Sequence, residues 1–195
     1  MSEEITHKGI TIRIQQDEDP MNPRSEFSNL GKMVCFHKQY NLGDKHNWQS
    51  EDYAGGDEME AAIRKQEKVA VILPLFLMDH SGLSMRCSSD TFRACDSAGW
   101  DWGQVGFIYV AREDVLKEYG KVTRATLKQA EQVLRGEVEV YDQYLTGDIW
   151  GYTVDPDGED ESLWGMFGYE YCVQEAKDVA ERIAARSQPS IYMSV

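Results

Sequence analysis

Apolar and polar positions alternate from Gly9 to Gln15. Ile10, Ile12 and Ile14 fall on one side and Thr11, Arg13 and Gln15 on the other, the period-two pattern of a half-buried strand. Turn formers then crowd together in Asp17-Glu18-Asp19-Pro20, Asn22-Pro23-Arg24 and Ser28-Asn29-Leu30-Gly31, which predicts an ordered loop over 16–31 with no helix. Met33 to His37 reads as a second strand, and residues 40–56 as another polar loop. Asp57, a residue type suited to capping, opens a helix with Met59, Ala62 and Ile63 on its inner face and Lys65 and Lys68 at its end. The unbroken apolar run from Val69 to Met78 predicts the central strand, with a bulge or kink at Pro74, which lacks a ladder donor. Asp79 to Gly82 turns the chain into a short strand, Leu83 to Arg86. After the polar, Trp-bearing stretch 87–103, Val105 to Val110 forms the next buried strand.

In the second half, Glu113 to Tyr119 predicts a short helix closed by Gly120. Leu127, Ala130, Leu134, Val138, Tyr141 and Leu145 recur at three- and four-residue steps, so a long helix is expected from Thr126 to Thr146. Ile149–Val154, the turn Asp155-Pro156-Asp157-Gly158, and Ser162–Phe167 carry the signal of a hairpin. Cys172, Ala176, Val179 and Ile183 mark a final helix, and residues 187–195 a tail. Strands fall in antiparallel-looking pairs without regular strand–helix alternation. The expected fold is therefore α+β: one domain over 1–195, with a mostly antiparallel sheet of about six or seven strands and three or four helices packed chiefly on one face.

Composition narrows the partners. Twenty Lys and Arg against 34 Asp and Glu give a net charge of −14, which repels phosphate backbones and disfavours direct nucleic-acid binding. Acids outnumber bases two to one in residues 1–60 and again in 121–195. The acidic start lacks a signal-peptide pattern, and the longest apolar run is too short to span a bilayer, so a cytoplasmic protein away from membranes is expected. Cys35, Cys87, Cys95 and Cys172 show no C-x-x-C spacing and read as reduced thiols.

Reactive side chains concentrate on the two loops around the second strand: Asp17, Asp19, Asn22, Arg24, Asn29, His37, Tyr40, Asn41 and Asp44. Loops seated on a sheet are where sites usually form, and these are expected to fold over the sheet's rim and enclose a polar hollow. His37, Asp44 and His80, with Asp17 or Asp79, form an alternative divalent-metal set for a hydrolase; otherwise no cofactor is expected. Trp100-Asp101-Trp102, on a Gly-flanked loop, is a candidate stacking or partner-facing patch. Glu137, Glu139, Asp142 and Asp148, with the acids of 155–161, offer a further alternative, an acidic surface imitating a phosphate array. Phosphate-cradling glycine motifs are absent, which disfavours nucleotide hydrolysis.

The segments Asn29–His37, Tyr40–Asp44, Asp79–Gly82, Gly103–Tyr109 and Tyr141–Asp148 resemble an uncharacterised family of small proteins encoded by bacteriophages and related mobile elements. The resemblance implies a protein acting inside an infected bacterium, on host physiology or defence; His80, Trp102, Gln104, Tyr144 and Asp148 are further candidate ligand-binding residues. The expectation is a non-catalytic intracellular binding protein whose partner is a host protein or a small nucleotide-like ligand.

Overall fold

A computed structural model of the chain describes residues 2–154 and 161–187. The expected turn at Asp155–Gly158 and the tail from residue 188 lie outside the described residues. In chain order the elements are β1 (Ser2–His7), β2 (Ile10–Gln16), α1 (Pro23–Glu26), β3 (Lys32–Cys35), α2 (Gly56–Gln66), β4 (Val69–Asp79), β5 (Leu83–Arg86), α3 (Asp90–Cys95), β6 (Trp102–Ala111), α4 (Arg112–Tyr119), α5 (Arg124–Thr146), β7 (Ile149–Val154), β8 (Glu161–Phe167) and α6 (Tyr169–Ser187). They form two compact units, one from residues 1–21 with 147–195 and the other from 22–146.

The first unit is an antiparallel sheet in the order β1-β2-β7-β8. Strand β1, whose polar sequence carries no clear alternation, is added by a two-residue turn at Lys8-Gly9, where both residues have positive φ and His7 pairs with Ile10. One sheet face presents Ile12, Ile14, Tyr152, Val154 and Met166 to α6. Cys172, Ala176 and Ala180, fully buried and four residues apart, give that helix a narrow contact stripe.

The second unit holds an antiparallel sheet in the order β3-β6-β4-β5. Alternate residues of its strands enter two different cores. Met33 and Cys35 of β3, Leu73, Leu75 and Leu77 of β4, and Ile108 and Val110 of β6 meet Ala130, Leu134, Val138 and Tyr141 of α5 and Val115 of α4. Val34, Ile72, Phe107 and Tyr109 face the other way, onto Met59 and Ile63 of α2. Burial on both faces is why β4 and β6 read as continuous apolar runs, whereas β2 alternates. Pro74 is tolerated because β5 pairs only with Phe76–Asp79, leaving β4 with one neighbour at that point; a register shift follows at Leu75/Phe76.

The α+β class holds, with eight strands in two four-stranded sheets and six helices among the described residues where one sheet of six or seven strands was expected. Helices cover both faces of the second sheet, which corrects the one-face arrangement; residues of both parities along β6 are apolar, and each face needs its own cover. The loop over 16–31 contains one helical turn, α1, since Asn22 accepts the Arg24 amide and Pro23 takes the first helical position. Helix α2 begins at Gly56 without a side-chain cap; Asp57 lies in its first turn, and Glu58 instead accepts the Ala54 amide. Among the described residues no helix is long and apolar enough to cross a membrane.

Candidate functional site

The capped turn of α1 sends Arg24 inward, with 2% of its side chain exposed. Its Nε and Nη2 donate to the two carboxylate oxygens of Asp44 at 2.9 and 2.6 Å, Nη1 donates to Glu137 at 2.8 Å, and Nη2 also donates to the Gly31 carbonyl at 2.8 Å. The carboxylates are shared with the backbone. Glu137 accepts from the Leu30 and Gly31 amides at 2.7 and 3.1 Å, and Asp44 accepts from the Met33 amide at 2.8 Å. Burial alone lowers the Arg24 pKa, but the hydrogen bonds and charges of Asp44 and Glu137 outweigh it and hold the guanidinium above its ordinary value. The Gly43 amide donates to the Tyr141 hydroxyl at 3.0 Å. Gly43 has φ +70°, and a Cβ there would come within 2.6 Å of the Met33 carbonyl, so only glycine fits the approach of this loop to β3.

This network fastens the segment after β3 as a strap beside a cleft of about 1400 Å³. The strap supplies Phe36, His37, Lys38, Tyr40, Lys45, His46 and Trp48; β6 supplies Gln104 to Phe107; and α2 supplies Gly55, Gly56 and Met59 from its N-terminal end. A smaller cavity of about 630 Å³ is lined by the strap's Asp44–Gln49 stretch and by Tyr109. Burial pushes the Tyr109 hydroxyl up to about 12, with the Glu67 charge adding to the rise and a hydrogen bond from Trp48 opposing it.

The two histidines of the strap differ in what their lone pairs meet. His37 Nδ1 accepts from the Gln39 and Tyr40 amides, each at 3.3 Å, so the ring carries its proton on Nε2, which faces Asp79 at 4.0 Å. His46 Nε2 lies 3.0 Å from the Cys35 carbonyl and must be the donor, which leaves Nδ1 as a bare acceptor, buried and without a partner. The Cys35 thiol, also on the cleft wall, is pushed up to about 12 by burial and then by the Asp44 charge, so it is a neutral thiol and no nucleophile.

The sequence-derived residues separate into groups. Arg24, His37, Tyr40, Asp44 and Gln104 line the cleft, although Arg24 and Asp44 are spent on each other as its frame. Asn29 clamps the Pro23 and Phe27 carbonyls at 2.9 Å and is part of the loop's scaffold. His80 pairs with Asp101 at 2.9 Å and does not line the cleft, so His37, Asp44 and His80 of the alternative metal set each have a different partner in this structure. Among the described residues no three His, Cys, Asp or Glu side chains gather as cation ligands. Trp102 donates to the Asp96 carbonyl at 2.8 Å and packs edge-on against Phe76, while Tyr144 stacks on Tyr141; neither lines the cleft.

Asp17, Asp19 and Asp148 belong to the first unit. Asp17 accepts the Asp19 amide in a turn, and Asp148 accepts from Trp150 Nε1 and the Tyr169 amide, tying the start of α6 to β7. Within the acidic array, Glu137 and Asp142 point inward: Asp142 is buried, pairs with Arg86 and accepts from Ser84 and the Met85 amide. The acids of 155–160 lie outside the described residues. Trp100 is 86% exposed on a loop held by Asp96, whose carboxylate accepts the amides of Ala98, Gly99, Trp100 and Asp101.

Sequence reasoning left Phe36, Lys38, Lys45, His46, Trp48 and the Gly55-Gly56 pair out of the site. The available signal was the interleaving of aromatic and basic residues from Phe36 to Trp48. No protein-family model matches the chain, and no curated protein or solved structure does either.

Proposed function

We propose that the protein is a non-catalytic binding protein that captures a small ligand in the cleft of the 22–146 unit. One observation carries the reading: the cleft is large and set in a hydrogen-bonded frame, yet its reactive groups are hydrogen-bonded, protonated or buried. Asp44 is held by Arg24 and the Met33 amide, the His37 Nδ1 lone pair is taken by two amides, the His46 Nδ1 lone pair is buried, and the Cys35 thiol stays protonated. A general base needs a lone pair within reach of the proton it removes, and a nucleophile needs its ionised or activated form. What faces the cleft is recognition chemistry, in aromatic rings, amides and lysine ammonium groups. The resemblance to bacteriophage-encoded proteins supplies the setting, withdrawal of a ligand used by the host or its defences.

The test is a thermal-shift screen of the intact chain against a panel of small metabolites. Each hit is then incubated with the protein and recovered for mass spectrometry. The expected result is a raised melting temperature with the hit recovered chemically unchanged. Conversion of a hit to product at a rate proportional to protein concentration would overturn the proposal.

A further inference from the structure

Taking that capture reading as its base, we infer that the ligand class is a nucleoside monophosphate, its base stacked on Tyr40 and its phosphate held by Lys38 and Lys45. The charge argument comes first. The chain carries a net −14, yet the cleft wall has three cationic side chains against two anionic ones. Arg24 and Asp44 cancel, leaving Lys38 and Lys45 against Glu51. Neither lysine has a carboxylate within 4.0 Å among the described residues, so both ammonium groups are open to an anion. An acidic protein that places free cations at this cleft favours anionic over cationic ligands there.

The second argument is the stacking platform. His37 and Tyr40 lie ring on ring, with centroids 5.0 Å apart and planes 26° from parallel. The His37 ring is held at its Nδ1 edge by two backbone amides, and Tyr40 remains 40% exposed. One face of a pre-ordered aromatic pair is therefore available to a flat heterocycle, the arrangement by which proteins take unpaired bases. Gln104, on the facing strand, makes only a long 3.5 Å contact to the Gly106 carbonyl, so its carboxamide is left to read the donor and acceptor edge of a base. The volume, about 1400 Å³, leaves room for a base, sugar and phosphate together.

Isothermal titration calorimetry of the full chain with AMP, GMP, CMP and UMP tests the assignment, with the corresponding nucleosides and inorganic phosphate as separate arms. At least one monophosphate should bind, at least tenfold tighter than its nucleoside or phosphate alone, with affinity falling as salt rises. The double variant Lys38→Ala/Lys45→Ala should lose tenfold or more for the monophosphate and leave nucleoside binding unchanged. Tyr40→Ala should weaken nucleotide and nucleoside alike, and Tyr40→Phe should restore both, which separates stacking from the hydroxyl. If no monophosphate binds while a metabolite lacking a phosphate or a flat ring does, the class is wrong and capture stands. If nothing in either panel binds, both fall. Monophosphate binding that is indifferent to Lys38 and Lys45 would overturn the placement of the phosphate.

Discussion

Replacing Arg24 by Met removes the centre of the frame that shapes the cleft while keeping a side chain of similar length. The guanidinium makes four hydrogen bonds, three of them to carboxylates. Its loss strands Asp44 and Glu137 facing each other and the Gly31 carbonyl. Breaking a buried pair by deleting one partner costs about 3–5 kcal/mol. Asp44 and Glu137 retain 24% and 11% side-chain exposure, so water relieves part of the stranded charge and the lower end applies. A loss of about 3 kcal/mol in a unit of this size is a drop in melting temperature of about 10 °C. The assay is urea denaturation together with amide hydrogen exchange. The Leu30, Gly31 and Met33 amides donate to the two carboxylates and should lose protection before the core strands do. The triple variant Arg24→Met/Asp44→Asn/Glu137→Gln removes the stranded charge but keeps oxygen acceptors for those amides, and should recover at least half of the loss. An Arg24→Met midpoint within about 1 kcal/mol of the parent, with the three amides still protected, would refute the role given to the network.

Gly43→Ala should cost about 2 kcal/mol or more in urea denaturation, since alanine pays for a left-handed conformation and its Cβ meets the Met33 carbonyl; a neutral result would show that the strap does not lie against β3 as described. Thiol labelling at about pH 8 should modify exposed Cys95 readily and leave Cys35 and Cys172, pushed up to about 12 and about 11 by burial, untouched until denaturant is added; early Cys35 labelling would contradict its burial. The same thiols tie stability to alkaline pH. Each titrates at about 9 when unfolded and higher when folded, so their contribution is complete below about pH 9 and is lost as pH rises through about 11 to 12, by up to about 4 kcal/mol for Cys35, as an alkaline denaturation series would show. Trp100→Ala should alter stability by less than about 0.5 kcal/mol because its ring is 86% exposed, while Trp102→Ala should cost about 2 kcal/mol through its lost bond to Asp96 and packing on Phe76; the reverse ranking in thermal melts would refute the loop's placement.

The elements most legible in the sequence are those whose stability is local or whose periodicity is strong. The alternation of Ile10, Ile12 and Ile14 marks β2, the apolar runs mark β4 and β6, and the three- and four-residue steps from Leu127 to Leu145 mark α5. Strand β1 was invisible because it is a mostly exposed edge strand, recruited by a turn more than by apolar side chains. The candidate site was legible as a region, the two loops around β3, but not as a set of groups. Arg24, Asp44 and Asn29 look like ligand-binding residues in sequence because turn chemistry and binding chemistry use the same side chains; in the structure they are the frame. Glu137, 113 residues from Arg24, gave no local sign of its part in that frame.

Local pattern, by itself, determined the strands and helices that bury apolar faces, the α+β class, the charge that repels phosphate backbones, and the loops where a cleft would form. Tertiary structure alone decided that the strands separate into two sheets, that the second is covered on both faces, and that Arg24 and Asp44 pair with each other while Lys38 and Lys45 line the cleft. The physical reason is range. Periodicity records which side of an element avoids water, a property of neighbouring residues, whereas strand partners, buried ion pairs and cleft walls depend on which distant surfaces meet. A charged side chain reads the same in sequence whether a carboxylate or open water awaits it.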